Sequence, residues 1–346
     1  MGNLEVTIII PCRNEEKYIS SCLDSVIKQD FPKEKLEVLV VDGMSEDKTK
    51  LVIEEYSAQY NFIKLLENPR KIIPTAMNIG IQNARGSIVM KIDAHTVYES
   101  NYISQCIKYL ENYKADNVGG LQIAIPREDT LTGHSIVQAL SHPFGVGNAR
   151  HRFLSDQKPL WADTTYSGCF RKEIFNRIGL YDENIARSED IAINTRLKKS
   201  GGKILLVPEI KTYYYARSNF REYIKHNFDN GFWITYPLKF GRWISSLRHL
   251  IPLIFTSSLL TSGLLSFFSG LFLDLFLFIF ISYCILNLYF SRRISLKQGN
   301  FRYFFTMPLI FFLLHFFYGL GSIWGIIKVI FSRSFWNQLA KGHEFS

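Results

Sequence analysis

Short apolar runs alternate with helix-length amphipathic stretches through the first hundred residues, and three of the runs end on polar or acidic side chains. Val6–Ile10 precedes Pro11-Cys12-Arg13-Asn14-Glu15, Glu37–Val41 precedes Asp42-Gly43-Met44-Ser45, and Ser87–Ile92 precedes Asp93-Ala94-His95. Runs this short and β-branched predict parallel strands of an α/β sheet. Helices are expected over Glu15–Gln29, Asp47–Tyr60, Pro74–Ala84 and Asn101–Tyr113, with further strands at Phe62–Leu66 and Asn117–Leu121. Open α/β sheets bind ligands at the carboxyl ends of their strands. One sheet edge therefore collects carboxylates, an imidazole and an asparagine, a set suited to a ligand that carries phosphate and a metal. No G-x-G-x-x-G or G-x-x-x-x-G-K-[ST] occurs, which disfavours dinucleotide-cofactor and P-loop chemistry.

Farther along, Ile125–Leu160 is less regular, holds His134, His142 and His151, and is expected to form a loop-rich insertion over the site. Regular signals return at Ser167-Gly168-Cys169-Phe170, at Lys172–Ile178 and at a helix opening on Ser188-Glu189-Asp190. A strand pair, Lys203–Val207 and Lys211–Tyr215, is expected to close the soluble part. Phe220–Trp243 interleaves Arg221, Lys225, Lys239 and Arg242 with Phe228, Phe232, Trp233 and Tyr236, a mixture suited to a helix in the headgroup layer. From about Leu250 to Phe290, and from about Phe304 to Ile327, the chain is almost wholly apolar, over lengths that cross a bilayer as helices. The expected division is a catalytic domain over 1–217, an interfacial region over 218–248, two or three transmembrane helices within 249–330 (about 250–269, 271–290 and 304–327), and a short basic tail over 331–346.

Basic residues flank the apolar segments. Arg242 and Arg248 precede the first, and Arg292, Arg293, Lys297 and Arg302 follow the second, which places both flanks in the cytosol by the positive-inside rule. With no signal-peptide pattern at Met1–Glu5, the expectation is an integral membrane protein of the cytoplasmic membrane with its catalytic domain in the cytosol. A third full span would put Lys328, Arg333 and Lys341 outside, so the span count and the side of the tail stay open. Much of the net charge of +9 lies beside these segments, so membrane lipids suffice as its partner and no nucleic acid is expected. The five cysteines show no metal-ligand spacing and are expected to be reduced.

Asp93 and His95 lie on one face of an extended segment, because strand side chains repeat every two residues. Such a pair can hold a divalent cation that bridges two phosphates. Asp42 can accept from a base or ribose, and Arg70 and Lys71 can neutralise phosphate. Asn14 starts the first helix together with Glu15 and can act as its N-cap. Glu189 and Asp190 sit where the helix macrodipole favours negative charge, and a carboxylate there can serve as general base toward an attacking hydroxyl.

Together these residues resemble family 2 glycosyltransferases of the GT-A fold, over most of residues 5–235. Val6–Glu16 is similar to the family's opening strand and P-x-(R/Y)-N-E turn, and Val40–Thr49 to its V-V-D-D-x-S-x-D-x-T segment. Asn78-Ile79-Gly80 resembles its A-x-N-x-G helix, Ser167–Arg171 its acceptor-side loop, and Ser188-Glu189-Asp190 its E-D motif. The resemblance implies an α/β nucleotide-diphospho-sugar transferase fold, a Rossmann-like mixed sheet flanked by helices, with C-terminal transmembrane helices added. It implies that Pro11, Arg13, Asn14, Glu15, Asp42, Lys71 and Asp93 bind the nucleotide, and that Asp93 and His95 bind the metal. It also implies that Asp190, aided by Glu189, is the catalytic base, and that Ser167, Gly168, Cys169 and Trp233 lie on the acceptor side.

Two positions depart from the family pattern: Gly43 stands for the second aspartate of V-D-D, and His95 for the second of D-x-D. An imidazole suits Mn²⁺ better than Mg²⁺. Asn227–Trp233 keeps the tryptophan of the processive Q-x-x-R-W motif without its glutamine and arginine, which argues against a processive synthase. The D-x-H variant, Asn227-x-x-x-Gly231-x-Trp233 and His315-x-x-Tyr318-Gly319-x-Gly321 resemble the subgroup linked to succinoglycan and similar exopolysaccharides. The expected activity is inverting transfer of a sugar from a nucleotide-sugar donor, expected to be UDP-linked, to a lipid-linked glycan acceptor. The alternatives are transfer to a lipid phosphate or glycerolipid, and a non-catalytic membrane scaffold. Nothing in the sequence sets the oligomeric state.

Overall fold

The computed structural model describes residues 4–153, 158–242, 247–333 and 335–336, so Trp243 of the expected interfacial helix and Lys341 of the tail lie outside the described residues. In chain order the first part runs β1 (Val6–Cys12), α1 (Ile19–Ile27), β2 (Leu36–Asp42), α2 (Thr49–Gln59), β3 (Ile63–Glu67), α3 (Ile73–Asn83), β4 (Ile88–Lys91), β5 (Thr96–Tyr98), α4 (Tyr102–Asn112) and β6 (Asn117–Pro126). There follow α5 (Leu131–Leu140), α6 (Pro143–Val146), β7 (Leu160–Trp161), β8 (Cys169–Arg171), α7 (Ile174–Ile178), α8 (Glu189–Lys199) and β9 (Ile204–Ala216). The last part is α9 (Phe220–Thr235), α10 (Leu247–Leu265), α11 (Gly270–Lys297) and α12 (Arg302–Ile330). The chain divides into two units, one of residues 1–123 and 150–215, the other of residues 124–149 and 216–346.

The first unit is built on a mixed sheet of order β3-β2-β1-β4-β8-β6-β9-β5, with β7 beside β9. β1 pairs in parallel with β2 and β4, and β2 with β3, whereas β8 runs antiparallel to β4. All seven residues of β1 and of β2 are buried, as expected of strands covered on both faces. Alternation along β1 divides the core: Ile8 and Ile10 pack with Leu23 of α1 and Ile103 of α4, and Ile9 with Met77 of α3 and Leu197 of α8. The parallel register aligns Cys12 with Asp42 and Ile9 with Lys91, so the ends of β1, β2 and β4 reach one edge together.

Three expectations need correction. The first helix begins at Ile19, not Glu15. Asn14 turns the chain at φ 55°, and the N–H groups of Glu15 and Glu16 are taken by Thr49 and Asp47. The expected strand pair near 203–215 is one thirteen-residue strand, β9. Pro208 lies between the residues that pair with β7 and those that pair with β5, so the missing N–H is tolerated there. Ile125–Leu160 is not a loop-rich insertion: β6 continues to Pro126, and α5 and α6 belong to the second unit.

In the second unit α12 is the central element, packed by α5, α9, α10 and α11. α9 crosses it on glycines: a Cβ on Gly231 would lie 1.9 Å from the Tyr318 carbonyl oxygen, and one on Gly321 1.9 Å from that of Phe228. Only glycine permits backbones this close, and Ser322 then donates to the Gly231 carbonyl at 3.1 Å while Thr235 donates to that of Ser322 at 3.0 Å. His315 ties in α6. Its Nε2 lies 2.8 Å from the Phe144 carbonyl, which can only accept, so in the neutral ring Nε2 carries the proton and Nδ1 accepts from the Tyr283 hydroxyl at 3.0 Å.

Among the described residues two helices are long and apolar enough to cross a membrane: α11, with mean hydropathy 2.3 over its most apolar window, and α12, with 1.8. On α11, Leu271, Phe278, Ile281 and Ile285 are exposed, an apolar face suited to lipid or to another protein surface. The first expected span corresponds to α10, which is diluted by Thr256, Ser257, Ser258, Thr261 and Ser262 and falls short of that apolarity.

Candidate active site

Two loops at the ends of β1 and β2 are bound to each other, backbone to side chain. The Asn14 N–H donates to the Ser45 hydroxyl oxygen at 2.9 Å, and the Glu46 N–H donates to the Asn14 side-chain oxygen at 2.9 Å. Asp42 is 1% exposed, and its carboxylate accepts from the Ser45 N–H at 3.0 Å and from the Ser45 hydroxyl. Asn14 is therefore not a helix cap; it holds the loop that follows Asp42. Its φ of 55° and that of Met44, 56°, are uncommon away from glycine and persist because these bonds over-determine the turn. A carboxylate offers about four acceptor positions, and Ser45 and the Cys12 thiol take three of those of Asp42.

Of the other expected nucleotide contacts, Pro11 is buried within β1, opposite Val41. Arg13 is half exposed and pairs loosely with Glu46 at 3.4 Å. Arg70 is paired with Glu183, whereas Lys71 is exposed at a left-handed φ of 61° and has no ion-pair partner among the described residues.

The acidic residues converge on a group that sequence reasoning missed. Lys91, the last residue of β4, is 2% exposed, and its Nζ lies 2.8 Å from Glu189 Oε1, 2.8 and 2.9 Å from the two Asp190 oxygens, and 3.6 Å from Asp93 Oδ1. The signal was present: a lysine inside a buried apolar strand is rarely found without a carboxylate partner. Burial alone would lower the Lys91 ammonium, but Asp190, Asp93 and Glu189 hold it well above its ordinary value. Burial likewise opposes ionisation of Asp93, and Lys91, His95 and the Tyr166 hydroxyl outweigh it to keep that carboxyl below its usual value. Asp190 goes the other way. Burial pushes it up to about 7 against the pull of Lys91, with Glu189 and Asp93 adding to the rise. Asp190 is also the most open of the three, its side chain 22% exposed against 13% for Asp93 and 9% for Glu189.

The turn that delivers Glu189 and Asp190 is fixed from behind. Asn78 on α3 accepts from the Tyr181 N–H at 2.8 Å and donates to the Tyr181 carbonyl at 2.9 Å, and Ser188 enters α8 at φ 65°. On the other side the Asp93 N–H donates to the Tyr98 hydroxyl at 3.0 Å, and the Tyr102 hydroxyl donates to the Ser167 carbonyl at 2.9 Å. Ser167 is buried at φ 48°, and a Cβ on Gly168 would lie 2.4 Å from the Phe170 ring. Cys169 does not face an acceptor: its side chain is fully buried in the core, because strand alternation turns it inward beside Met90 and Val118. Trp233 belongs to the second unit, edge-on to Phe232 and Tyr236.

His95 Nδ1 lies 3.1 Å from Glu15 Oε1. The carboxylate accepts, so in the neutral ring Nδ1 bears the proton and Nε2 keeps its lone pair, the arrangement that metal-binding histidines commonly show. No group of three or more His, Cys, Asp or Glu side chains suited to a metal exists among the described residues. A cation held by Asp93 and His95 would therefore need its remaining ligands from phosphate oxygens and water. A separate cleft, lined by Glu5, Ser87, Arg171, Lys172 and Asn176, lies at the opposite, amino ends of β1 and β4 and contains none of these groups.

The sequence profile of glycosyl transferase family 2 matches residues 7–179. Among characterised relatives, the dolichyl N-acetyl-alpha-D-glucosaminyl phosphate 3-beta-D-2,3-diacetamido-2,3-dideoxy-beta-D-glucuronosyltransferase of Methanococcus voltae is 28% identical over 331 residues, 93% of this chain and 97% of that protein. Succinoglycan biosynthesis protein ExoA of Rhizobium meliloti is 25% identical over 249 residues, 71% of this chain and 74% of that protein. Among solved structures, mannosyltransferase PcManGT of Pyrobaculum calidifontis, in complex with GDP-Man and Mn²⁺, aligns with a TM-score of 0.55 at 17% identity, over 94% of this chain and 88% of that one, a likeness of fold alone. The fold is GT-A, and the chain belongs to glycosyl transferase family 2, a glycosyltransferase that uses a nucleotide-sugar donor.

Proposed function

We propose that the protein transfers a sugar from a UDP-sugar, with inversion, to a lipid-linked glycan at the cytosolic face of a membrane, in the making of a cell-surface or extracellular polysaccharide. The observation that carries the reading is the acidic cluster at the end of β4, where Asp190 is partly open and raised to about 7. A carboxylate poised near neutrality is suited to take a proton from a hydroxyl. In the proposed step the acceptor oxygen forms a bond to the anomeric carbon as the bond from that carbon to the diphosphate oxygen breaks. The electron pair leaves with the nucleoside diphosphate, and the acceptor proton passes to an Asp190 oxygen. Attack opposite the leaving group inverts the anomeric centre.

Asn14, Asp42 and the backbone near Pro11 would seat the nucleoside, while Arg13 and Lys71 are the cationic side chains of this edge that would face phosphate. Asp93 and His95 Nε2 would hold a divalent cation, Mn²⁺ or Mg²⁺, which when bound supplies charge neutralisation for the departing diphosphate. The acceptor assignment draws on the Methanococcus relative, whose name specifies a dolichyl-linked sugar phosphate, and on α11 and α12. The test is incubation of the detergent-solubilised chain with UDP-sugars and polyprenyl-linked acceptors, with the anomeric configuration of product and donor compared by NMR. Asp190→Asn should lower kcat by about 10²–10⁴ while UDP still binds. Full activity in that variant would remove Asp190 from the base role, and retention of configuration would overturn the single-step mechanism.

A further inference from the structure

Three carboxylates converge on Lys91 in a site where burial works against every charge. Here a single ammonium touches both oxygens of Asp190, one oxygen of Glu189 and the near side of Asp93, all within 3.6 Å. The backbone that carries the lysine is tied on both sides. Its N–H donates to the Gly168 carbonyl at 3.0 Å, and the N–H of the next residue, Ile92, donates to the Ile9 carbonyl at 3.0 Å. Asp190 stands in the first turn of α8, and both of its carboxylate oxygens accept hydrogen bonds from Lys91 Nζ. The neighbouring Tyr181 hydroxyl is buried and has no hydrogen-bond partner among the described residues, so it does not orient Asp190.

We infer that Lys91 is a positioning residue for the transfer step: it clamps the Asp190 carboxylate to the end of β4 in the orientation that meets the acceptor hydroxyl, and it supplies the charge that lets Glu189, Asp190 and Asp93 share one site. This rests on the proposed base role of Asp190. The nucleotide loops after β1 and β2 are held by their own bonds to Ser45, Thr49 and Asp47, none of which involves Lys91. Its loss should therefore reach kcat and spare the metal-free binding of UDP to those loops, whereas a merely structural role would move both; metal-dependent binding is left out of the comparison because Asp93 also touches Lys91.

The experiment compares Lys91→Met, Lys91→Arg and the double variant Lys91→Met/Glu189→Gln in the full-length, detergent-solubilised chain, with kcat measured beside the Kd for UDP in the absence of divalent metal. Lys91→Met should lose about 10²–10³ in kcat, within the range of a general-base contribution, with the UDP Kd unchanged within about threefold. The double variant removes one uncompensated charge, keeps the test open if the single variant does not fold, and should show the same split. Lys91→Arg preserves the charge and can bridge two carboxylates, so it should recover at least about tenfold of the lost rate. A folded Met variant with kcat within about threefold of wild type overturns the inference, as does a parallel loss of UDP affinity or an arginine variant no better than methionine. The base reading fails separately: an active Asp190→Asn sinks it whatever Lys91 does, while an inactive Asp190→Asn beside a fully active Lys91→Met sinks only the role of Lys91.

Discussion

Replacing Gly231 by alanine tests the helix crossing that organises the second unit. The added Cβ would stand 1.9 Å from the Tyr318 carbonyl oxygen and 3.0 Å from the Ser322 nitrogen. A carbon atom normally keeps roughly 3.3 Å or more from a carbonyl oxygen, so α9 and α12 must separate by more than about 1 Å. Overpacking of this kind costs about 1–3 kcal/mol. The separation also stretches the Ser322 and Thr235 hydrogen bonds, each contributing about 0.5–1.5 kcal/mol. The higher helix propensity of alanine returns about 1 kcal/mol. A net loss of about 1–5 kcal/mol lowers Tm by roughly 2–20 °C for a unit of this size. The assay is thermal unfolding in detergent, with Gly270→Ala as the control. No atom lies within 4 Å of a Cβ at Gly270, so its Tm should hold or rise. A Gly231→Ala Tm within about 1 °C of wild type, or an equal fall for Gly270→Ala, would show that the close crossing of α9 and α12 does not set the stability of this unit.

Asp190 must be ionised to accept a proton, and burial raises it to about 7. The rate should therefore be complete above that pH and fall about tenfold per unit below it, and a pH profile of kcat/KM flat down to pH 5 would contradict this. Glu15→Ala frees His95 Nδ1 from its acceptor at 3.1 Å, and loss of such an outer partner typically weakens metal affinity about 10–100-fold. Mn²⁺ titration in the presence of UDP, followed by electron paramagnetic resonance, reads this without turnover; unchanged affinity would remove Glu15 from that role.

The parallel part of the sheet was legible because β1, β2 and β4 are short β-branched runs buried on both faces, and each ends on the polar residues that form the edge. Lys91 was equally visible inside its apolar run, yet its meaning depends on Glu189 and Asp190, about a hundred residues later. Asn14 illustrates the same limit. An asparagine ahead of an amphipathic stretch suits an N-cap, but its bonds to Ser45 and Glu46 exist only once β1 and β2 are paired. The segment from 125 to 160 was misread because His134, Gly133 and His142 look like loop residues. Its apolar positions Ile136, Ala139 and Leu140 are buried on one face of α5, which packs on α12. Cys169 followed from motif position alone, and strand alternation turns it into the core. The crossing at Gly231 and Gly321 leaves only scattered glycines in the sequence, and their purpose appears when two helices meet.

Calorimetric titration of UDP into the detergent-solubilised protein, with and without Mn²⁺, on wild type and Asp93→Ala, is the most direct test of a nucleotide-sugar site at the carboxyl edge of the sheet. Binding that strengthens with Mn²⁺ in the wild type, and loses that dependence in the variant, is the result predicted from Asp93 and His95. Wild-type protein that binds neither UDP nor another nucleoside diphosphate under either condition, or an Asp93→Ala variant that responds to Mn²⁺ as the wild type does, would contradict it.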